Sequence, residues 1–207
     1  MNKSALCIMF RIPEYGNVKQ RLAAQIGHNE ALNAYASMLH ETINNVSRLK
    51  GIDIYGFYEG RASQQANLLQ GFETLPQQGK DLGEKMLNAV NLLFKKGYSK
   101  VILIGSDSPD MPVSFVSEAF VQLDSHELVI GPSNDGGYYL IGMNSPIDSV
   151  FKGIQWGQSN VLQETISIAE SEGIKYFLLP EWYDIDDLDS LKRWKSSYCN
   201  LFVMRLL

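Results

Sequence analysis

Apolar positions follow two alternating rhythms along this chain. Short runs such as residues 5–10 and 100–105 are apolar at almost every position, as strands buried on both faces are. The longer stretches between them repeat their apolar residues at three- and four-residue steps. Over residues 28–50, Leu32, Tyr35, Ala36, Leu39, Ile43 and Val46 make one apolar face, which predicts a helix with Gly51 as its stop. The same reading predicts strands over 52–58, 127–131, 138–143 and 175–180. It predicts further helices over 79–97, 112–124, 158–173 and 187–196, and another starting near Val18. The tail, "YCNLFVMRLL", is apolar enough to pack back onto the domain.

Strands alternating with helices of ten residues or more specify βαβ units. The expected fold is a single doubly wound α/β domain over 1–207, with a mainly parallel sheet and helices on both faces. One antiparallel hairpin is expected near 128–143, because Asp-Gly between two strands is a strong hairpin signal. No repeat, low-complexity run or linker interrupts the pattern. In such sheets ligands bind beyond the carboxyl ends of the strands. The loops that leave those ends are therefore where chemistry is to be sought.

Composition narrows the classes. The formal net charge is −5 and the pI about 5.2, which argues against a general nucleic-acid binder. The two cysteines, Cys7 and Cys199, form neither a disulfide framework nor zinc-ligand spacing, so a reducing cytoplasm is expected. The apolar run of the first ten residues is too short for a secretion signal, and no run approaches the ~20 apolar residues of a membrane span.

Four strand-end loops carry the candidate chemistry. After residues 5–10, "RIPEYGNVKQRL" sets Arg11, Lys19 and Arg21 around a turn at Pro13 and Gly16. Cations beside a helix start make an anion site, though three basic residues in a loop are also an ordinary solvated surface. After residues 100–105, "SDSPDMP" carries Asp107 as its first carboxylate. That carboxylate suits a hard divalent cation shared with phosphate, or equally an Asx-turn before Pro109. Asp110 reads as a cap for the next helix. "GPSNDGGYYLIG" places Asp135 beside Gly136 and Gly137, both a hairpin turn and a place where a ligand can approach the main chain. "EWYDIDDLDSL" holds Asp184, Asp186, Asp187 and Asp189. Asp187 and Asp189 suit a helix start, and capping is the plain reading of Asp186. No Ser/His/Asp or Cys/His order stands out.

Taken in order, these loops resemble a bacterial family of GT-A-like nucleotide-diphospho-sugar transferases, some linked to arsenosugar biosynthesis and radical-SAM genes. The motifs are "RIPEYGNVKQRL" (11–22), "QQGKDLGEKM" (77–86), "ILIGSDSPDMP" (102–112), "GPSNDGGYYLIG" (131–142), "WGQSNVLQET" (156–165) and "LPEWYDIDDLDSL" (179–191). A more distant likeness runs to phospholactate guanylyltransferase and the molybdenum-cofactor nucleotidyltransferases. The resemblance implies that Arg11, Gly16, Lys19 and Arg21 hold nucleotide phosphates. It places Gln78, Gly79 and Gly83 in the loop against base and ribose. It makes Asp107 the acid for a divalent Mg²⁺ or Mn²⁺, with Asp184 or Asp186 as second contact. Asp135, Gly136 and Gly137 would face sugar or acceptor, with Tyr138, Tyr139 and Trp156 as specificity candidates, although Tyr139 also suits the core. The family usually has Lys at position 11, Thr at 20, Arg at 85 and Thr at 187. Arg11, Gln20, Lys85 and Asp187 stand there in this chain, which bears on donor choice rather than on the metal acids.

The expected activity is metal-dependent transfer of a sugar from a nucleotide-diphospho-sugar to a small acceptor, with Asp135 as base. Two rivals are a nucleotidyltransferase joining an NTP to a phosphorylated or carboxylated acceptor, and a non-catalytic nucleotide-binding partner.

Overall fold

In the computed structural model, which describes residues 3–61 and 71–204 (side chains to 197), the chain opens with strand β1, Ser4–Arg11. Its residues alternate between two cores, as the period of two of a strand requires. Ala5, Cys7 and Met9 face one side with helix α3, Leu82–Lys95. Leu6, Ile8 and Phe10 face the other, with α2, His28–Val46, and α4, Val113–Gln122. Leu6 and Ile8 are wholly buried, each stabilising the fold by roughly 1.5–3 kcal/mol. This two-sided burial explains why β1 reads as an unbroken apolar run.

The remaining strands are β2 (Asp53–Glu59), β3 (Glu73–Pro76), β4 (Lys100–Ile104), β5 (Leu128–Pro132), β6 (Tyr138–Met143) and β7 (Tyr176–Leu178). They form one sheet in the order β3-β2-β1-β4-β6-β5-β7. All pairs are parallel except those of β6, which runs antiparallel to both β4 and β5. The expected hairpin is thus present, and it inserts β6 between two parallel neighbours. The mainly parallel doubly wound sheet is as the sequence reads. No described helix is long and apolar enough to cross a membrane.

Boundaries differ from the pattern in places with local causes. Asp81 caps α3 by accepting from the Glu84 amide at 2.8 Å, so that helix starts at Leu82 and not at Gly79. α2 ends at Val46, four residues before the pattern suggested. β3 was not expected: it is a four-residue edge strand ending in Pro76, a residue that an edge tolerates. A 3-10 turn over Asp148–Phe151 also went unread. The predicted packing of the tail and the side chain of Cys199 lie outside the described residues.

A third cluster sits beside the sheet. Leu22 of α1 (Gln20–Ile26), Met38 of α2, Ile185, and Leu191 and Trp194 of α6 (Leu188–Met204) pack together. It clamps the start of α1 against the segment before α6. That packing sets the site.

Candidate active site

The strand ends open into a crevice of about 950 Å³. Its centre is Lys19. This residue is the only described non-glycine with positive φ (47°), a left-handed backbone state that costs energy for an L side chain. It immediately precedes α1 and supplies no side-chain cap. Its ammonium instead reaches Asp107 Oδ1 at 2.7 Å and Asp186 Oδ1 at 2.8 Å. The Lys19 side chain is 6% exposed, while the two carboxylates are 47% and 45% exposed. Burial pulls the Lys19 pKa down, but the charges of Asp107 and Asp186 outweigh it and hold the ammonium above its ordinary value.

Each partner is held from a different element. Asp107 follows β4, and its carbonyl accepts from the Ile185 amide at 2.9 Å. Asp186 precedes α6. Capping was its plain reading, yet Asp187 performs that task, accepting from the Ser190 amide at 2.8 Å. Asp186 is thereby left to pair with Lys19. The cap expected from Asp110 is also absent: α4 has Pro112 at its start and no side-chain cap. Asp110 accepts from Trp182 Nε1 at 3.3 Å and from the Tyr183 hydroxyl, tying the β4 loop to the segment before α6.

Asp184 lies deeper. Its two oxygens accept from the hydroxyls of Ser108 and Ser133, the latter at 3.1 Å. Burial, with the charges of Asp107 and Asp135, pushes its pKa up to about 6, against the pull of the Ser108 bond. Tyr35 joins the neighbouring strand ends. Its hydroxyl accepts from the Arg11 amide at 2.9 Å, donates to the Arg11 carbonyl at 3.1 Å and meets Ser106 Oγ at 3.1 Å. Burial, with Asp107 nearby, pushes the Tyr35 phenol up to about 12.

On the β2 side, Arg11 and Lys85 meet at one carboxylate. Glu59 accepts from Arg11 Nε at 3.1 Å and from Lys85 Nζ at 2.7 Å. The Lys85 bond, with the Arg11 charge, holds Glu59 below its ordinary pKa. Positions 11 and 85, where this chain departs from the family pattern, are thus spatial neighbours. Arg21 is exposed and lines the crevice.

On the far side Asp135, Gly137, Tyr138 and Trp156 line the wall. Asp135 Oδ1 accepts from the Gly137 amide at 2.9 Å, an Asx-type turn that fixes the carboxylate. Tyr138 and Trp156 stand edge to face, with centroids 6.4 Å apart. Tyr139 goes to the core, its hydroxyl donating to the Pro180 carbonyl at 2.9 Å.

Gly16, Gln78, Gly79, Gly83 and Gly136 stand back from the crevice wall. Gly16 turns the first loop with φ 76°. Gly79 has φ 142° and lies against the backbone at Lys85, while the Gln78 carbonyl accepts from Asn88 Nδ2 at 2.8 Å. A Cβ on Gly83 would lie 2.5 Å from the Phe151 carbonyl oxygen and from Trp156 Nε1. A Cβ on Gly136 would lie 1.9 Å from the Ser159 carbonyl oxygen. Gly79, Gly83 and Gly136 are thus points of close packing behind the crevice, whereas nothing lies within 4 Å of a Cβ on Gly16.

The motifs did not single out Glu59, Ser108, Ser133 or Tyr35 as functional. Glu59 was readable, since it directly follows the strand predicted over 52–58, at the ligand-binding edge. The two serines and Tyr35 carried no such signal. No three described His, Cys, Asp or Glu side chains form a ready cation cage. Asp107 and Asp186 nevertheless converge on one cation, Lys19, and are half exposed. Two carboxylates completed by phosphate oxygens and water suit Mg²⁺ or Mn²⁺.

Residues 42–158 match the family model described as "Uncharacterized protein conserved in bacteria (DUF2064)". No curated protein matches the chain. Among solved structures, a protein of Desulfovibrio desulfuricans G20, provisionally assigned as a nucleotide-diphospho-sugar transferase, is 36% identical. It aligns over 90% of this chain and 84% of its own, with a TM-score of 0.85. A nucleotidyl transferase of Methanothermobacter thermautotroptrophicus shares the fold at 12% identity, with 95% and 98% coverage and a TM-score of 0.66. So does the Mycobacterium tuberculosis protein Rv0371c in complex with manganese, at 12% identity, 93% and 98% coverage and a TM-score of 0.57.

Proposed function

This chain belongs to the DUF2064 family, and we propose that it is a metal-dependent glycosyltransferase, moving a sugar from a nucleotide-diphospho-sugar to a small acceptor. The observation that carries this reading is the junction of Lys19, Asp107 and Asp186 at the carboxyl end of β1 and β4. It gathers one buried cation and two half-exposed carboxylates in a crevice with room for a donor and an acceptor. The likeness to the Desulfovibrio protein, over most of both chains, supports the sugar-donor form.

When a nucleotide-sugar reacts, a nucleoside diphosphate leaves and negative charge grows on its β-phosphate. Groups already aimed at that charge lower the barrier. Lys19 and Arg21 serve this role from the first loop and α1, while Arg11, expected beside them, pairs with Glu59 on the β2 side and is not assigned to the phosphates. A divalent cation held by Asp107 and Asp186 supplies further charge neutralisation when bound. Asp186 serves better than Asp184, whose oxygens are taken by Ser108 and Ser133. Asp135 is the base for the acceptor hydroxyl, and its bond from Gly137 holds it beside Tyr138 and Trp156.

A thermal-shift panel tests this reading: nucleotide-sugars, nucleoside diphosphates and NTPs, each with and without Mg²⁺ or Mn²⁺. A ligand that binds only the folded chain raises its melting temperature. Metal-dependent stabilisation by a nucleotide-sugar, followed by diphosphate release in the presence of acceptors, is the expected result. Stabilisation by NTP alone, with pyrophosphate as product, would assign nucleotidyl transfer instead. Stabilisation without turnover across a broad acceptor panel would leave a binding partner.

A further inference from the structure

At the β2 end of the crevice three charged side chains stand in a row. Lys85 donates to Glu59 Oε1 at 2.7 Å, and Arg11 donates to Glu59 Oε2 at 3.1 Å. The row reads donor, acceptor, donor. Each member keeps spare capacity. An ammonium has three donors, a guanidinium five, and a carboxylate about four acceptor sites. Leu82 lies one helical turn before Lys85 on the same face of α3, lines the crevice, and is 47% exposed. An apolar surface therefore adjoins the row, as the face of a planar ring requires.

The transfer chemistry proposed above does not use Glu59, Lys85 or Leu82. Lys19, Asp107 and Asp186 lie at the β1/β4 side, whereas Glu59 ends β2 on the other side of β1. Adjacent strands are about 5 Å apart, so the ends of β2 and β4 are about 10 Å apart. A nucleotide laid across β1 with its phosphates at Lys19 brings its base to the row.

Resting on the transferase reading, we propose that Arg11, Glu59 and Lys85 read the edge of a uracil or thymine base, and that the donor is a uridine- or thymidine-diphospho-sugar. The edge of uracil or thymine runs acceptor (O4), donor (N3–H), acceptor (O2), and complements the row at all three places. Cytosine presents the lone pair of N3 to a carboxylate and an amino group to a cation. Guanine offers two donors in succession, the second of which would meet a cation. Adenine offers only one donor and one acceptor. An unmade or opposed bond in such a site is worth roughly tenfold or more in affinity.

Calorimetric titration with UDP, dTDP, CDP, GDP and ADP, and with inorganic pyrophosphate, all in Mg²⁺, tests the assignment. UDP and dTDP are expected to bind at least about tenfold tighter than CDP, GDP or ADP. Glu59→Gln can turn an amide N–H toward N3 of cytosine, so the UDP-to-CDP ratio should fall about tenfold while pyrophosphate binding holds. Lys85→Met is the second variant, and should weaken UDP and dTDP with pyrophosphate unaffected. CDP, GDP or ADP binding as tightly as UDP, or a UDP-to-CDP ratio unmoved in Glu59→Gln, overturns the base assignment alone. Absence of binding by every nucleotide and by pyrophosphate overturns the transferase reading and the assignment with it.

Discussion

Lys19 and Asp186 are 167 positions apart in sequence and 2.8 Å apart in space. The contact is built by packing: Leu22, three residues after Lys19, and Ile185, one before Asp186, share a buried cluster. Asp107 completes the junction from β4. In this arrangement the Lys19 ammonium engages the same two carboxylates that would hold a divalent cation in the proposed reading. Lys19 and such a cation compete for them.

Lys19→Met should therefore raise the affinity of the nucleotide-free protein for Mn²⁺. It should also lower turnover by roughly a hundredfold or more, because the phosphate loses a positioned cation. Stability without metal should fall by about 1–2 kcal/mol, since the carboxylates left behind stay half solvated and lose less than buried ones would. Mn²⁺ titration, followed by spin resonance, reads the first effect. Unchanged or weaker Mn²⁺ binding would show that the ammonium does not stand in for a metal.

Asp107→Asn keeps the shape of the side chain and removes its charge. Metal-dependent stabilisation by nucleotide should disappear, with turnover reduced at least a hundredfold. Lys19 keeps Asp186 as partner, so the fold should persist. A variant retaining full metal-dependent activity would move the metal elsewhere.

Much of the fold was legible because strands buried on both faces and helices buried on one leave distinct periods. β1 and α3 are the clearest cases. β3 was not legible, since a four-residue edge strand with no buried position leaves no rhythm. At the site, Asp107 and Lys19 were readable from their place at strand ends. The partner of Lys19 was not: Asp184, Asp186 and Asp187 are near neighbours of one chemistry. Only the fold shows that Asp187 caps α6, Asp184 is bound by two serines and Asp186 faces Lys19. The role of Asp110 was hidden for the same reason, because its partners Trp182 and Tyr183 lie 72 and 73 positions away.

Gly136 has φ 89°, and its carbonyl accepts from the Leu162 amide at 2.9 Å. Gly136→Ala adds a methyl 1.9 Å from the Ser159 carbonyl oxygen, at a backbone angle that L residues avoid. Stability should drop by about 2–4 kcal/mol from overpacking and strain together. The start of α5 (Val161–Ser171) and the loop carrying Trp156 must shift, so acceptor KM should rise more than nucleotide Kd. Equal changes in both would place the damage elsewhere. Chemical denaturation and steady-state kinetics measure the two effects.

Asp184 should leave a signature in the pH dependence of stability. Its pKa rises from 3.8 in the unfolded chain to about 6 in the folded one, chiefly through burial. Between those values the folded chain binds more protons than the unfolded chain, so stability falls as pH rises from about 4 to 6 and levels off above. The loss is on the order of 2–3 kcal/mol. Asp184→Asn carries no charge to bury and can still accept from Ser108. The difference between variant and parent should therefore grow in favour of the variant across pH 4–6 and stay constant to pH 8. Urea midpoints at half-unit pH steps measure it. A difference that is flat across the window would show that Asp184 ionises freely in the folded chain.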